Sequence, residues 1–158
     1  MSQKSLANWL KIMIVGVGVC AILVYAFVFP RLGTELVPFS GDSSLRTLWL
    51  ILIGITALPC YIALYFSWCI MTNIGNDASF TVENAKLLHK ISVLGAGDVL
   101  YVFLWNLILF ALGKNSLVMV TVFLLIAFLG VVITIIFAAL AQLVKKAAAL
   151  QEQSDFTI

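Results

Sequence analysis

Apolar residues are gathered into four long runs along the chain, separated by short polar segments. The runs cover residues 12–29, 48–71, 91–112 and 117–144, and each contains 18 to 28 residues. A helix needs about 20 residues to cross a hydrocarbon core of about 30 Å, so each run is long enough to span a membrane. The pattern predicts an all-α fold, a four-transmembrane-helix bundle that forms a single membrane domain over residues 1–158.

The basic residues at the ends of the runs predict an orientation. With four spans, both termini lie on the same side of the membrane. Six basic residues fall on that side and three on the other, namely Lys4, Lys11, Lys86, Lys90, Lys145 and Lys146 against Arg31, Arg46 and Lys114. Because cytoplasmic loops carry an excess of Lys and Arg, we expect both termini to be cytoplasmic. The fourth run is the longest, and we expect its end to project into the cytoplasm.

Composition agrees with a membrane protein and leaves little material for catalysis. The chain is 63% hydrophobic and 10% charged, whereas an ordinary soluble domain has about 25% charged residues. The three cysteines form no C-x-x-C pair, and the single His89 lies between lysines with no second metal ligand at suitable spacing. We therefore expect no enzymatic activity, no cofactor, no metal site and no direct nucleic-acid binding.

Small residues within the runs predict close packing between helices. Glycine lets two membrane helices approach each other closely, which strengthens their van der Waals contact. The glycines within the predicted spans are Gly16, Gly18, Gly54, Gly95, Gly97 and Gly130. We interpret them as packing positions.

Asp98 is the single charged residue within a predicted span. A carboxylate near a helix centre costs roughly 2.5 to 3.5 kcal/mol, so its position is a candidate for function. Trp105 and Asn106 follow seven and eight residues later, which places them on the same face of the third helix. We interpret this face as a polar stripe toward the bundle interior. Asp98 is either a hydrogen-bonded packing residue or a site for a proton, an ion or a cationic ligand.

A proline in the second span offers Asp98 a partner. Pro59 lacks an N–H group, so the carbonyl of Ile55 loses its helical hydrogen bond. Pro59 and Asp98 lie at similar predicted depth, and we expect the Asp98 carboxyl to donate to that carbonyl or to Thr56. The candidate intramembrane site comprises Asp98, Asn106, Trp105, Thr56 and Pro59.

The polar segment between the second and third runs carries turn and helix-start signals. Gly75 opens a Gly-Asn-Asp turn. Ser79 or Thr81 can cap a helix that begins near Val82, with Glu83 in its first turn. The segment predicts a short cytoplasmic interfacial helix before the third span.

Two cytoplasmic segments contain motifs that resemble a known family. The loop contains Gly75, Ser79, Phe80, Thr81, Asn84 and Leu87, and the tail ends in Asp155, Phe156, Thr157 and Ile158. With these motifs the chain resembles the bacterial multi-pass membrane family catalogued as domain of unknown function family 2975. In that family a Gly, a Ser-Phe-[Ser/Thr] step and an Asn precede a Leu-rich helix entry, and the chain ends in an Asp-Leu-Thr-Ile-like terminus. Phe156 replaces the usual Leu, and Gln153 stands where an acid is expected. The resemblance covers essentially the whole chain.

The resemblance implies a location and a kind of partner. Members look commonly encoded beside a small helix-turn-helix DNA-binding protein, which implies a component of the bacterial cell membrane that sequesters or informs a transcription regulator. The candidate cytoplasmic partner-binding residues are Gly75, Ser79, Phe80, Thr81, Asn84, Glu152, Asp155 and Phe156.

Three functions stay open from the sequence. The leading hypothesis is a non-enzymatic integral membrane protein that is a regulatory or signal-relaying partner of a cytoplasmic helix-turn-helix transcription regulator. The alternative is a small transporter or ligand-binding membrane protein that uses Asp98. A minor alternative, a peptide-immunity protein, rests on charges in the outer loop at Arg31, Glu35, Asp42 and Arg46. The lipid bilayer is an expected partner in each case, and whether the chain forms a homo-oligomer stays open.

Overall fold

Four long helices make up the described part of the chain. The computed structural model describes residues 3–31 and 43–155, with side chains over 3–31 and 44–153. Helix α1 is Gln3–Leu23 and continues through a π-helical turn, Val24–Val28, as far as Arg31; α2 is Ser43–Gly75, α3 is Val82–Ala111 and α4 is Leu117–Asp155. All four are long and apolar enough to cross a membrane. The predicted all-α architecture with four candidate spans is confirmed.

The outer surface of the bundle is apolar. Large side chains such as Ile12, Phe128 and Ile135 are 63%, 65% and 61% exposed. The helices satisfy their own backbone hydrogen bonds, so such a surface is compatible with a hydrocarbon environment. Most apolar side chains are thus available to lipid, and a smaller set packs between the helices.

The helices extend beyond the apolar runs. The predicted interfacial helix is not a separate element, because Val82–Ala111 is one helix whose first turns are polar. Neither Gly nor Pro occurs from Val82 to Leu94, so nothing in the sequence interrupts the helix there. Helix α4 has 39 residues, which corresponds to about 58 Å of length against a hydrocarbon core of about 30 Å. Its end therefore projects beyond the lipid, whereas the side on which it projects stays a prediction.

Consecutive helices pack against each other, and the tightest core lies near the α3–α4 hairpin. Contacts join α1 to α2, α2 to α3 and α3 to α4. The buried core cluster consists of Trp49, Ile53, Trp105, Leu109, Met119 and Phe123. The ring of Phe123 packs edge-on against Trp49 and Trp105, with centroid distances of 6.3 and 5.4 Å. Aromatic pairs prefer this geometry, so the cluster is well packed.

Two of the predicted packing glycines allow α3 and α4 to approach closely. A Cβ atom at Gly95 would lie 2.7 Å from Thr134 Oγ1, and one at Gly130 would lie 2.5 Å from Val99 Cγ2. These distances are shorter than van der Waals contact, so a side chain at either position would force Thr134 or Val99 to move. The other predicted glycines in the spans are not tightly packed, with nothing within 4 Å of a Cβ at Gly16, Gly54 or Gly97 and an ordinary contact at Gly18.

Candidate functional site

Asp98 lies half-buried on α3 among polar groups from three helices. Its carboxyl lies within electrostatic range of Tyr25 of the π-helical turn, Cys60 of α2 and Tyr101 of α3. Within residues 3–31 and 43–155 no hydrogen bond to this carboxyl is formed. The cluster therefore joins a carboxyl, a thiol and two phenols inside the predicted membrane region, where they could hold a cation or exchange a proton.

The expected hydrogen bond between Asp98 and Thr56 is not formed, because Thr56 has other partners. Its hydroxyl donates to the carbonyl of Ile53 at 2.7 Å and accepts from the hydroxyl of Tyr25, also at 2.7 Å. Tyr25 lies in the π-helical turn, a feature often found at functional positions. Tyr101 donates to the carbonyl of Leu52 at 3.1 Å. The hydrogen bonds of Tyr25 and Tyr101 thus join α1 and α3 to the stretch of α2 that precedes Pro59.

Pro59 lies inside α2 without ending the helix. It is followed directly by Cys60, which faces Tyr25 and Asp98. The sequence reasoning did not include Tyr25, Cys60 or Tyr101 in the site. The polar atoms of these side chains within apolar runs were visible in the sequence. The sequence did not show that three helices bring them together.

Asn106 belongs to a different cluster from Asp98. Its amide nitrogen donates to the carbonyl of Val102 at 3.1 Å, and its oxygen accepts from Asn115 Nδ2 at 2.9 Å. The oxygen of Asn115 in turn accepts from the backbone N–H of Ser116 at 3.0 Å. Eight residues of helix separate Asn106 from Asp98 by about 12 Å, so the predicted single polar stripe is divided in two. Asn106 closes the α3–α4 hairpin.

Trp105 lies in the aromatic core beside this hairpin. It is 5% exposed, and Trp49 from α2 is 2% exposed. The indole nitrogens of both are buried without a hydrogen-bond partner among the described residues. The structure therefore places Trp105 in packing and not next to Asp98.

Asn84 anchors the loop between α2 and α3. It is 1% exposed, and its amide nitrogen donates to the carbonyls of Ala78 and Ser79 at 2.9 and 3.0 Å. Its oxygen accepts from Asn73 Nδ2 at 2.8 Å, which connects α3 to the end of α2. Buried polar atoms are stable when hydrogen-bonded in this way. Asn84 is therefore a structural residue at the base of the loop.

Three other residues of the predicted partner-binding set also shape the loop. Thr81 caps α3, since its hydroxyl accepts from the N–H of Asn84 at 3.2 Å. A Cβ at Gly75 would lie 3.2 Å from that of Ala7, so glycine permits close contact with α1. The Ser79 hydroxyl lies 3.4 Å from the side-chain amide of Gln3. The start of α1 thus packs against the loop.

Phe80 and Glu152 line a groove between the loop and the end of α4. We call this cavity of about 290 Å³ the loop–tail groove; it is lined by Asp77, Ala78, Phe80, Thr81, Val82, Ala148, Gln151 and Glu152. Phe80 is 57% exposed. The structure thus brings together Phe80 and Glu152, two predicted partner-binding residues that are far apart in the sequence.

Some predicted site residues lie outside this description. The side chain of Asp155 and all of Phe156 lie outside the described residues, as do Glu35 and Asp42 of the outer loop. The sequence reasoning also missed Asp77 and Gln151 in the groove. Gln151 could have been found from its spacing, because Ala148, Gln151 and Glu152 lie on one helical face. In the described ranges, no three His, Cys, Asp or Glu side chains gather as a metal site requires.

Comparison with known proteins gives one family. No curated protein and no solved structure matches the chain. The family model described as a protein of unknown function, DUF2975, matches residues 7–158. That range contains all four candidate spans except the first four residues of α1. The chain therefore belongs to the DUF2975 family, whose function is unknown.

Proposed function

We propose that the protein is a non-enzymatic integral membrane protein that binds a cytoplasmic helix-turn-helix transcription regulator through the loop–tail groove. One observation carries the proposal: the loop containing Phe80 and the α4 segment containing Glu152 line the same cavity. A surface built jointly from two distant segments suits recognition of a partner. The regulatory role would follow if recruitment to the membrane changed the partner's access to DNA.

The chemistry of the groove fits a protein partner with a basic surface. Phe80 offers an exposed aromatic ring, the kind of side chain that anchors interfaces. Asp77 and Glu152 add two acidic side chains to the lining. DNA-binding domains present clustered Lys and Arg, which these acids complement. The cavity of about 290 Å³ is at the lower limit for small-molecule sites, so it suits a side chain of a partner better than a cofactor.

Hydrogen bonds within the chain anchor the loop without any partner. Asn84 makes three side-chain hydrogen bonds to the loop and to α2. Thr81 adds the helix cap. A loop that is already ordered loses less conformational entropy on binding, which favours affinity.

Photo-crosslinking in native membranes tests this proposal. A photoreactive phenylalanine analogue is placed at position 80, and in a matched control at Lys114 in the α3–α4 hairpin. We expect position 80 to capture a DNA-binding protein and position 114 not to do so. Deletion of residues 151–158 should abolish the capture, because it removes one wall of the groove.

A charge pair of variants sharpens the test. Glu152→Gln removes an acid that lines the groove, and Glu83→Gln removes a nearby exposed acid that does not. Capture at position 80 should fall with Glu152→Gln and stay unchanged with Glu83→Gln. If position 114 captures the same protein as position 80, or if the deletion has no effect, the proposal is wrong.

The second candidate is a small transporter or ligand-binding protein that uses Asp98. It is favoured by the electrostatic cluster of Asp98 with Tyr25, Cys60 and Tyr101. Reconstituted into proteoliposomes, the protein should then show proton-coupled or cation-dependent uptake that Asp98→Asn abolishes. Uptake that is insensitive to Asp98→Asn would exclude this function.

A further inference from the structure

A second groove at the same end of the bundle is basic and lies between α3 and α4. We call this cavity of about 620 Å³ the basic groove; Lys86 and His89 of α3 line it together with Lys145 of α4. Its apolar wall includes Ala138 and Ala141. The basic groove differs in charge from the loop–tail groove, since no Asp or Glu contributes to the described lining of the basic groove.

The cations in the basic groove differ in their availability. Lys86 and Lys145 are exposed, and neither pairs with a carboxylate in the part of the chain that the structure describes. Lys90 also lines the groove, but its Nζ lies over the ring of Phe66 at 5.5 Å. A cation–π contact therefore partly satisfies Lys90. Lys86 and Lys145 line the same groove from neighbouring helices, an arrangement suited to a shared anion.

A second cavity, which is apolar, lies farther along the same pair of helices. This second cavity, of about 470 Å³, is lined by Ala96, Leu100 and Phe103 of α3 and by Leu124, Phe128, Val131 and Ile135 of α4, among others. Ala96 is the α3 residue of this cavity that lies nearest to the basic groove. It follows Lys90 by six residues, or about 9 Å along the helix.

The lining residues of both cavities lie on one face of each helix. On α3 they occur at positions 82, 85, 86, 89, 90, 96, 99, 100 and 103, and on α4 at 124, 127, 128, 131, 134, 135, 138, 141, 142 and 145. These positions recur at intervals of three, four and seven residues, which keeps the side chains on one broad helical stripe. The two cavities therefore follow the same seam between α3 and α4, with cations at one end and apolar side chains along the rest.

We propose that this seam binds an anionic phospholipid. The headgroup phosphate lies between Lys86 and Lys145, and an acyl chain follows the apolar cavity toward Phe103. Basic pockets between transmembrane helices recognise anionic headgroups in this manner. The apolar cavity farther along the seam favours a lipid over a free phosphate, because a free anion would make no use of it. Charge complementarity and this neighbouring apolar cavity together specify the occupant.

Native mass spectrometry of the purified full-length protein tests this inference. The protein in detergent is titrated with phosphatidylglycerol, with phosphatidylcholine of identical acyl chains, and with inorganic phosphate as a competitor. We expect tighter binding of phosphatidylglycerol than of phosphatidylcholine. Lys86→Gln/Lys145→Gln should weaken phosphatidylglycerol binding about thirtyfold, on the order of fivefold for each lysine.

Matched variants control for the loss of positive charge and for the added side-chain volume. Lys4→Gln/Lys146→Gln removes the same charge from exposed positions that line neither cavity, and should change binding less than about twofold. Ala96→Phe fills the apolar cavity and should weaken lipid binding, whereas Ala139→Phe, also exposed but outside both cavities, should not. Circular dichroism confirms that each variant keeps its helical content.

Three outcomes would overturn the inference. The first is equal binding of the two lipids, and the second is an equal loss in the Lys4→Gln/Lys146→Gln control. The third is full displacement of the lipid by inorganic phosphate together with no effect of Ala96→Phe, which would identify a free anion as the ligand. None of these outcomes bears on the loop–tail groove, since the variants leave Phe80 and Glu152 unchanged.

Discussion

The two ends of the bundle close their loops with the same device but differ in what surrounds it. At the α3–α4 hairpin, Asn106 and Asn115 join their amides at 2.9 Å beside buried Trp105 and Phe123. At the α2–α3 loop, Asn84 accepts from Asn73 at 2.8 Å, yet the neighbouring aromatic side chain, Phe80, is exposed.

The difference separates an end whose aromatic side chains are buried from an end that exposes one. A buried asparagine pair holds a helix connection in place at either end, since unpaired buried amides are costly. The hairpin end directs its aromatic side chains into the core, whereas the loop end directs Phe80 into an open groove beside Glu152. An exposed aromatic residue on a rigid loop contributes little to folding, so a binding role gives it a physical reason.

The largest expected effect is at the hairpin core. Phe123→Ala removes the ring that packs edge-on against Trp49 and Trp105, and we expect a loss of about 3 kcal/mol in the free energy of unfolding. The value is at the low end for such a change because lipid, unlike water, does not add a large transfer term. Unfolding by sodium dodecyl sulfate titration in mixed micelles measures it. Phe128→Ala, at an α4 position whose side chain is 65% exposed, is the control, and an equal loss there would contradict the core role.

The next effect tests the loop anchor. Asn84→Ala removes three side-chain hydrogen bonds, and we expect a loss of about 2 kcal/mol, since a typical bond contributes about 1 kcal/mol and some carbonyls regain water. Hydrogen–deuterium exchange over residues 76–81 should rise strongly. Asn106→Ala should instead raise exchange near the α3–α4 hairpin. If both variants affect both ends equally, the two anchors are not independent.

A smaller effect is expected at the cap of α3. Thr81→Val keeps the side-chain shape but loses the oxygen that accepts from Asn84 N–H, which should cost about 1 kcal/mol. Thr121→Val removes a hydroxyl that donates to the Leu117 carbonyl within α4 and should cost less than about 0.5 kcal/mol. The same detergent titration compares them. Equal values would mean that the cap adds nothing specific to the loop end.

The smallest effect on stability is expected at Phe80. Phe80→Ala should change the free energy of unfolding by less than about 0.5 kcal/mol, because the side chain is mostly exposed. It should nevertheless reduce copurification of the partner, which Phe128→Ala should leave unchanged. A large loss of stability would show that Phe80 is a structural residue and would remove the contrast between the two ends.

The helices were predictable because their apolar runs meet the length requirement of a bilayer. The ends of the helices were harder to predict. The third run begins at residue 91, but α3 begins at Val82, nine residues earlier. Polar residues continue the helix there because Thr81 caps it and no breaker intervenes. The local sequence predicted the cap as either Ser79 or Thr81, and Thr81 is the cap.

The candidate sites were harder to predict than the helices. Asn84 was singled out as a partner-binding residue by family resemblance, but the structure places it in the base of the loop. Asp98 and Asn106 share a helical face, yet they meet different neighbours because Tyr25 approaches the middle of α3 and Asn115 approaches its C-terminal end. Such partners come from other helices, and spacing within one helix does not reveal them.

The sequence by itself determined that the chain forms four candidate spans, that a helix begins near Val82, and that the charges concentrate at the ends of the bundle. It did so because backbone groups in lipid must be satisfied within each helix, which makes long apolar runs unambiguous. Tertiary structure alone decided which faces meet, including the loop–tail groove and the seam from Lys86 to Phe103. Lipid is as apolar as the helix sides and does not orient them, so close contacts such as Gly130 against Val99 and hydrogen bonds between helices set their rotation.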